Sequence, residues 1–573
     1  MKDGNIYRSY IPDIKVPKDL SIHQYLTAFN PDDAPAQKVI WEDLESPKKT
    51  MTYGGLREAA SLAAGGLASK YGLKEGDSVA IIGSNSVDWA LAAHASIWLG
   101  AIAVGVNHLA TSYELKHYLE LADPSIAIVE ASSRTKVQQV LSSIFPDRNI
   151  PILILGGNDA HIAFPDCVMV QEQPIPPLNL NGRNSHDVPA CVLFSSGTTG
   201  KPKAVHLSHY NVLANLLTYR AGAPHFNNVS MVEVFFPPFA HMLGLMTAVL
   251  GAAFFGNYVL IMKQYEFHKW IRSCAEKRAT LMKIVPSIAM SIAKDPEVPK
   301  LDLTSLQYIV CTGAPLHYEI VNILVELMNG VHIVQGYGMS EGTVSRLHPV
   351  QATLKAGSVG TLFPSVSLRL VDDNMKDVSV GTPGEALIKA PTVFMYSQAA
   401  PSTILFGLIS LTRHYRKNEE ATKNAFHDGW LRTGDSLIID RDGHLWFQDR
   451  KKDMIKYKGL QIAPSELEDI LTSYSDVVEA AVTATWDATQ ETEIPVGYVV
   501  LSPSIEEEQQ HKVLENIAKD FNTKVSSYKK LRGGLYSVKS LPKNATGKIM
   551  RSLLPARTAS TPRGVFVGLS PKL

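Results

Sequence analysis

Apolar runs of two lengths alternate along the first 350 residues. Ala190 to Phe194 is unbroken and short, as a buried strand requires. Asp77 to Gly83 reads as a turn into a strand, and Gly100 to Asn107 as another strand. Between such runs, apolar positions recur every three or four residues, as in Ser61–Tyr71, which ends near Gly72, and in Ser86–Leu99. This alternation predicts a mainly parallel α/β sheet, because parallel neighbours need helical crossovers. Leu243 to Met262 is nearly uncharged, but Gly256-Asn257 punctuates it as a turn. It therefore reads as a buried helix followed by a strand over Tyr258–Met262, not as a membrane span.

From about Gly357 the pattern shortens to strands and turns, among them Asp372-Asp373, Gly381–Gly384 and Asp440–Gly443. A smaller β-rich unit is expected there, closing on the alternating strand Leu445-Trp446-Phe447. The charged cluster Asp449 to Asp453 follows, a solvated surface placed to serve as a hinge. Beyond it a compact α+β unit is expected, with helices at Ser465–Ser475 and Ile505–Val525 and strands near Ala480–Ala484 and Val496–Leu501. The division drawn is a large N-terminal α/β domain over residues 1–451, with its β-rich subdomain at about 357–451, and a small α+β domain over 452–573.

A chain of 573 residues is too long for one core. Lys+Arg and Asp+Glu both number 55, so net charge argues for neither a nucleic-acid partner nor an anionic membrane. The four cysteines are dispersed, which points away from zinc and from a disulfide framework and fits a reducing interior. No apolar signal segment opens the sequence. The ending Ser570-Pro571-Lys572-Leu573 is a variant of the Ser-Lys-Leu address, so the expectation is a peroxisomal import receptor as partner, with an unstructured tail and a cytoplasmic protein as the other reading.

The chemistry begins at Ser195-Ser196-Gly197-Thr198-Thr199-Gly200-Lys201-Pro202-Lys203. Amides and hydroxyls at this spacing can wrap a polyphosphate, with the lysines adding charge. It is not a Walker A loop, since only two residues part Gly197 from Gly200 and Pro202 keeps Lys201 from opening a helix. Downstream come Gln335-Gly336-Tyr337-Gly338-Met339-Ser340-Glu341-Gly342, read as a glycine turn carrying an aromatic, a hydroxyl and a carboxylate, and Gly429 to Asp435, read as a carboxylate in a tight turn. The last two motifs are Asp449 to Gly459, and Leu541 to Ile549, which holds Lys548 on a Pro/Gly loop.

In this order the five motifs resemble the adenylate-forming superfamily of acyl-CoA synthetases, luciferases and peptide-synthetase adenylation domains, from about Leu56 to Leu553. Lys456 to Glu468 is similar to the segment in 4-coumarate–CoA ligases. The resemblance implies that a carboxylate attacks the α-phosphorus of ATP to give acyl-AMP and pyrophosphate, and that the thiol of coenzyme A then displaces AMP. It places the β- and γ-phosphates on Ser195 to Lys203 and Mg²⁺ on Glu341, with Ser340 beside it. Tyr337 would stack on adenine between Gly336 and Gly338, with Gly313, Ala314 and Pro315 lining it. Asp435, joined by Arg450, would hold the ribose, and Lys548 the α-phosphate and acyl oxygen. Lys452 matches the pivot about which the C-terminal unit turns between steps, bringing up Lys456, Lys458 and Gly459 for coenzyme A. Related readings are loading of a carrier-protein thiol, oxidation of the acyl-AMP, and a non-catalytic nucleotide-binding protein.

The same resemblance assigns an apolar acid pocket to Phe239, His241, Gly244, Val285, Pro286, Gly313, Gly338 and Met339. His241 is either a gate beside the carboxylate or a histidine satisfied at a helix start. Phe239-Ala240 stands where amino-acid-activating relatives carry an aspartate, and an unpaired buried ammonium is costly, so an acid without an α-amino group is favoured. Two departures stand out. Asn107-His108 has a histidine where relatives carry proline, and Tyr396 to His414 interrupts two segments that nearly adjoin in relatives. That insert is apolar and acid-free; the hypothesis is translated intron, which codons present in the mature transcript would reject.

Overall fold

Ser78–Ile82 lies at the middle of a seven-stranded sheet ordered Lys203–Ser208, Pro189–Ser195, Ile102–Val106, Ser78–Ile82, Ile126–Val129, Ile152–Leu155, Ala163–Phe164. Every neighbouring pair is parallel except the first. Ser78–Ile82 and Ile102–Val106 are buried at each position, so their sequences are continuous apolar runs and not alternating ones. The crossover helix Val87–Leu99 is capped by Ser86, whose side chain accepts the Trp89 N–H, and ends on Gly100 at φ 92°. Helix Gly55–Tyr71 begins earlier than the Ser61 expected and ends on left-handed Gly72, as expected. This computed structural model describes residues 2–3, 5–157, 161–170, 172–195, 202–313, 316, 318–351, 354–355, 357–393, 418–450, 453–457, 460–487, 492–525, 527–543, 549–558 and 565–567.

Two further sheets complete the α/β part. One orders Val232–Phe235, Tyr258–Ile261, Val39–Asp43 and Ser46–Thr52; the other orders Leu281–Ile284, Tyr308–Cys311, His332–Met339, Gly342–Arg346 and Thr361–Leu362. In each the first three strands are parallel. The apolar stretch Leu243 to Met262 is helical over Gly244–Phe255, stops at Gly256 (φ 70°) and continues as strand Tyr258–Ile261. Its first turns, Gly244–Val249, are π-helical, a widening that the residue pattern does not signal. Among the described residues no helix is long and apolar enough to cross a membrane.

The β-rich part is an antiparallel sheet of Ser367–Val371, Gly384–Lys389, Trp430–Ile439, Phe426–His427 and Leu445–Arg450. It also takes in Lys2–Asp3 and Ile6–Arg8 from the start of the chain, strands too short to show a period. Leu445–Arg450 runs further than the expected strand, so the charged cluster begins inside the sheet. The C-terminal unit packs helices Pro464–Thr472 and Glu507–Lys524 on Val477–Asp487, Thr492–Leu501, Leu535–Ser537 and Val565–Val567. Its two apolar cores draw only on residues beyond Met454, among them Leu467, Val482, Phe521, Tyr498 and Leu554. The expected boundary at 451–452 lies outside the described residues. On either side of it Ser465 Oγ donates to Gln448 O at 2.8 Å, and Lys294 Nζ to Val477 O at 2.6 Å.

His23, His94 and His209 sit together inside the N-terminal part. His23 Nε2 lies 3.3 Å from His94 Nδ1, His94 Nε2 lies 3.3 Å from Val249 O, and the Ile22 N–H donates to His209 Nδ1. Burial holds His94 down to about 4 and His209 to about 3, and keeps His23 well below the usual range, where neighbouring His94 and His209 add to the effect. All three are neutral when folded, whereas in the unfolded chain they protonate near the ordinary value of about 6.5. Their contribution is complete above that value and is lost as pH falls through about 4 for His94 and about 3 for His209. Each of His94 and His209 should cost about 2 kcal/mol by pH 5. Urea midpoints at pH 7.5 and pH 5 check this, and an unchanged midpoint would contradict it.

Candidate active site

Ser195 closes one strand and pairs directly with Lys203, which opens the next, so the Gly/Ser/Thr run bridges an antiparallel hairpin. A Walker loop joins a strand to a helix, so the pairing agrees with the rejection of that motif. Ser196, Gly197, Thr198, Thr199, Gly200 and Lys201 lie outside the described residues. Near the far end of the run, His117 Nε2 is 2.8 Å from Pro202 O, a tether that sequence reasoning missed. The helix that follows, His209–Gly222, starts with a capping box between Ser208 and Asn211. Asn211 then donates to Pro391 O at 3.0 Å and Val393 O at 3.2 Å. One turn on, the Thr343 hydroxyl lies 2.9 Å from Asn215 Oδ1 and 3.1 Å from Tyr219 Oη. This buried network joins the helix behind the Gly/Ser/Thr run to the hairpin that carries Glu341.

The Gln335–Gly342 motif is not the glycine turn expected. Gly336, Tyr337, Gly338 and Met339 are the last residues of strand His332–Met339, and only Ser340 and Glu341 make the turn into Gly342–Arg346. Glycine is needed at Gly342, where an added Cβ would come 2.8 Å from Val393 Cγ2. Glu341 is buried and offers the hard oxygens that Mg²⁺ prefers. Gln335 Oε1 accepts the Leu316 N–H at 2.8 Å and so holds the far side of the Gly313-Ala314-Pro315 segment; Gly313 is described, with φ 89°, and Ala314 and Pro315 are not.

Asp435 likewise sits in a strand, not in a tight turn. The pairing of Gly384–Lys389 with Trp430–Ile439 jumps from Glu385–Ser436 to Leu387–Arg432, so Thr433, Gly434 and Asp435 bulge opposite Ala386. Gly434 takes φ 69°, and Thr433 Oγ1 accepts the Asp435 N–H at 3.1 Å. Arg432 grips Glu385 at 2.8 and 3.0 Å beside the bulge. The bulge aims Asp435 at Tyr337: Tyr337 Oη donates to Asp435 Oδ2 at 2.7 Å with both residues buried. On the other edge Asp435 is the cross-strand partner of Arg450. The structure thus brings Tyr337, expected at adenine, against Asp435, expected at ribose.

Around the expected acid pocket, Asn85 clamps the Phe236–Phe239 segment, a residue sequence reasoning did not single out. Its Nδ2 donates to Phe236 O at 3.1 Å and Pro237 O at 2.9 Å, and its Oδ1 accepts the Phe239 N–H at 2.8 Å. Only glycine fits at Gly244, where a Cβ would lie 2.2 Å from Pro238 O. The Leu243 N–H donates to His241 Nδ1 at 3.4 Å, and burial lowers the His241 pKa to about 4. Val285 caps helix Pro286–Lys294 and lies beside Gly313, whose built Cβ would be 3.6 Å from Val285 Cγ1.

In the C-terminal unit, Lys456 is on strand Ile455–Tyr457, paired with Gln461. Lys452, Lys458, Gly459 and Lys548 lie outside the described residues, as do the Tyr396–His414 insert and the terminal Pro571-Lys572-Leu573. Lys543 and Ile549 bridge the base of the Lys548 loop, and Met550 N–H donates to Pro542 O. Arg551 follows and is held by Glu468 at 2.6 Å. All four cysteines are buried and free.

Comparison with known proteins covers almost the whole chain. Residues 28–396 match the family model described as AMP-binding enzyme, and residues 466–548 match the AMP-binding enzyme C-terminal domain. The first match ends at residue 396, where the insert begins. A probable CoA ligase of Humulus lupulus is 30% identical over 96% of this chain and 95% of its own length. Luciferin 4-monooxygenase of Photuris pensylvanica is 33% identical over 85% of this chain and 86% of its own. The crystal structure of an anthranilate CoA ligase in complex with anthranoyl-AMP superposes with a TM-score of 0.80 at 22% identity, covering 93% of this chain and 96% of that one.

Proposed function

Because this chain belongs to the AMP-binding enzyme family, we propose that it is an ATP-dependent acyl- or aryl-CoA ligase acting on a carboxylic acid without an α-amino group. A carboxylate is a poor acyl donor because oxide would have to leave. Attack of its oxygen on the α-phosphorus expels pyrophosphate and gives acyl-AMP. The thiol sulfur of coenzyme A then adds to the acyl carbon and AMP departs with the electron pair. The observation that carries the reading is the buried 2.7 Å bond joining Tyr337 to Asp435, residues of two separate motifs, with Tyr337 in the strand that turns at Ser340-Glu341.

The residues divide the labour by chemistry. Ser195 and Lys203, with the run between them, would hold the β- and γ-phosphates, and Glu341 would hold Mg²⁺, which neutralises phosphate charge when bound. Tyr337 offers its ring to adenine, and Asp435 its carboxylate to the ribose. His241 takes its Leu243 hydrogen bond on Nδ1, so the neutral ring carries its proton on Nε2 and can donate it to a carboxylate. Phe239, Gly244, Val285, Pro286, Gly338 and Met339 supply the apolar wall. The likeness to a luciferin monooxygenase supports a second reading, in which acyl-AMP meets an acceptor other than coenzyme A.

ATP–pyrophosphate exchange across aryl-propenoic, phenylacetic and medium-chain fatty acids tests the first step. Exchange that depends on one of these acids is expected, and thioester should follow when coenzyme A is added. Exchange without thioester would favour the second reading. No exchange with any acid would remove both.

A further inference from the structure

The geometry points to the Tyr337 hydroxyl as a positioning group for nucleotide sugar, separate from any stacking by its ring; this rests on the reading of Asp435 as the ribose acceptor. Tyr337 lies in strand His332–Met339 and Asp435 in Trp430–Ile439, which belong to different sheets. Their side chains meet through one hydrogen bond of 2.7 Å, at 8% exposure for each residue. A phenol donating to a carboxylate in such a place fixes both partners, because charge-assisted bonds are short and strong where water is excluded. Tyr337 thereby addresses Oδ2, and the carboxylate is held in one rotamer.

The local backbone shows why an outside hold is useful. Asp435 stands on a bulge with left-handed Gly434 beside it, and its own N–H is turned towards Thr433 Oγ1. The bulge takes Asp435 out of the regular pairing with Gly384–Lys389, so that pairing does not set the direction of its carboxylate. Tyr337 supplies that direction from the second sheet, and the Phe447 ring packs 6.0 Å from the Tyr337 ring on the same side. A ribose hydroxyl approaching Asp435 then finds its acceptor already oriented, so less freedom is lost on binding. The hydroxyl touches neither reacting atom; it acts through Asp435.

Tyr337→Phe removes the hydroxyl and keeps the ring, so stacking and positioning separate. AMP, 2′-deoxy-AMP and 3′-deoxy-AMP are titrated calorimetrically into the unmodified full-length protein, Tyr337→Phe and Asp435→Asn. The unmodified protein should prefer AMP to at least one deoxynucleotide. In Tyr337→Phe, AMP should weaken about tenfold while that deoxynucleotide weakens less than twofold, so that discrimination collapses. A melting temperature within a few degrees of the unmodified protein shows that the variant is folded. Equal weakening of all three nucleotides would assign Tyr337 a packing role and overturn the proposal, as would unchanged discrimination. If Asp435→Asn binds AMP and its deoxy forms as the unmodified protein does, the ribose reading itself falls, and this proposal with it.

Discussion

Lys548→Ala is expected to lower acid-dependent ATP–pyrophosphate exchange by about 10²–10³-fold while leaving most thioester formation from supplied acyl-AMP intact. The reason is where charge appears. In the first step the carboxylate brings its charge to the α-phosphorus and negative charge builds on the α-phosphoryl oxygens, where a fixed ammonium is worth far more than in water. In the second step the phosphate ester is only a leaving group, and a cap that has turned away no longer offers that lysine. The substitution should be local. The base of the loop is closed by the Lys543–Ile549 bridge and by the Met550 to Pro542 hydrogen bond, neither of which uses residue 548. Arg551, just beyond, stays anchored through its guanidinium to Glu468 and to the Val482 carbonyl. Measuring both half-reactions on one preparation separates a lost charge from a lost fold. Equal loss in the two assays would mean that Lys548 supports the cap's structure instead of the adenylation step.

The sequence carried more of the fold than of the site's local geometry, and the reason lies in how far each signal reaches. Val87–Leu99 was legible because its cap, apolar spacing and terminal glycine all lie within the segment itself. The helix–turn–strand reading of Gly256 and its flanks was legible in the same way. Asp435 and the Gly336–Met339 run were misread as turns because glycine and polar residues in a short window look alike whether the chain turns or bulges. For Asp435 only the register against Glu385–Leu387 distinguishes them, and that partner lies far away in sequence. Asn85, His117 and Asn211 were missed for a related reason. Each is a polar side chain bonded to backbone carbonyls of distant segments, a role with no local pattern. Lys2–Asp3 and Ile6–Arg8 were missed because two or three residues cannot display a period.

Lys456→Ala should have the opposite effect to Lys548→Ala: exchange within about threefold of the unmodified enzyme, and thioester formation from acyl-AMP reduced by about 10²-fold, the scale for loss of one positioned charged donor. Lys456 lies on a two-stranded hairpin with Gln461 opposite, and Ile455 and Tyr457, its neighbours in the strand, face the C-terminal core. In the proposed two-step cycle the cap would turn about the segment near Lys452 to exchange Lys548 for the Lys456 hairpin at the nucleotide. The core built from residues beyond Met454 lets the unit move as one body. Such motion must break the Lys294 hydrogen bond to the Val477 carbonyl, which ties the cap to the helix following Val285. On this reading the two lysines would act in sequence, one withdrawn as the other arrives. The decisive result is the pair: if Lys456→Ala and Lys548→Ala lose the same half-reaction, a single cap position serves both steps and the alternating arrangement is wrong.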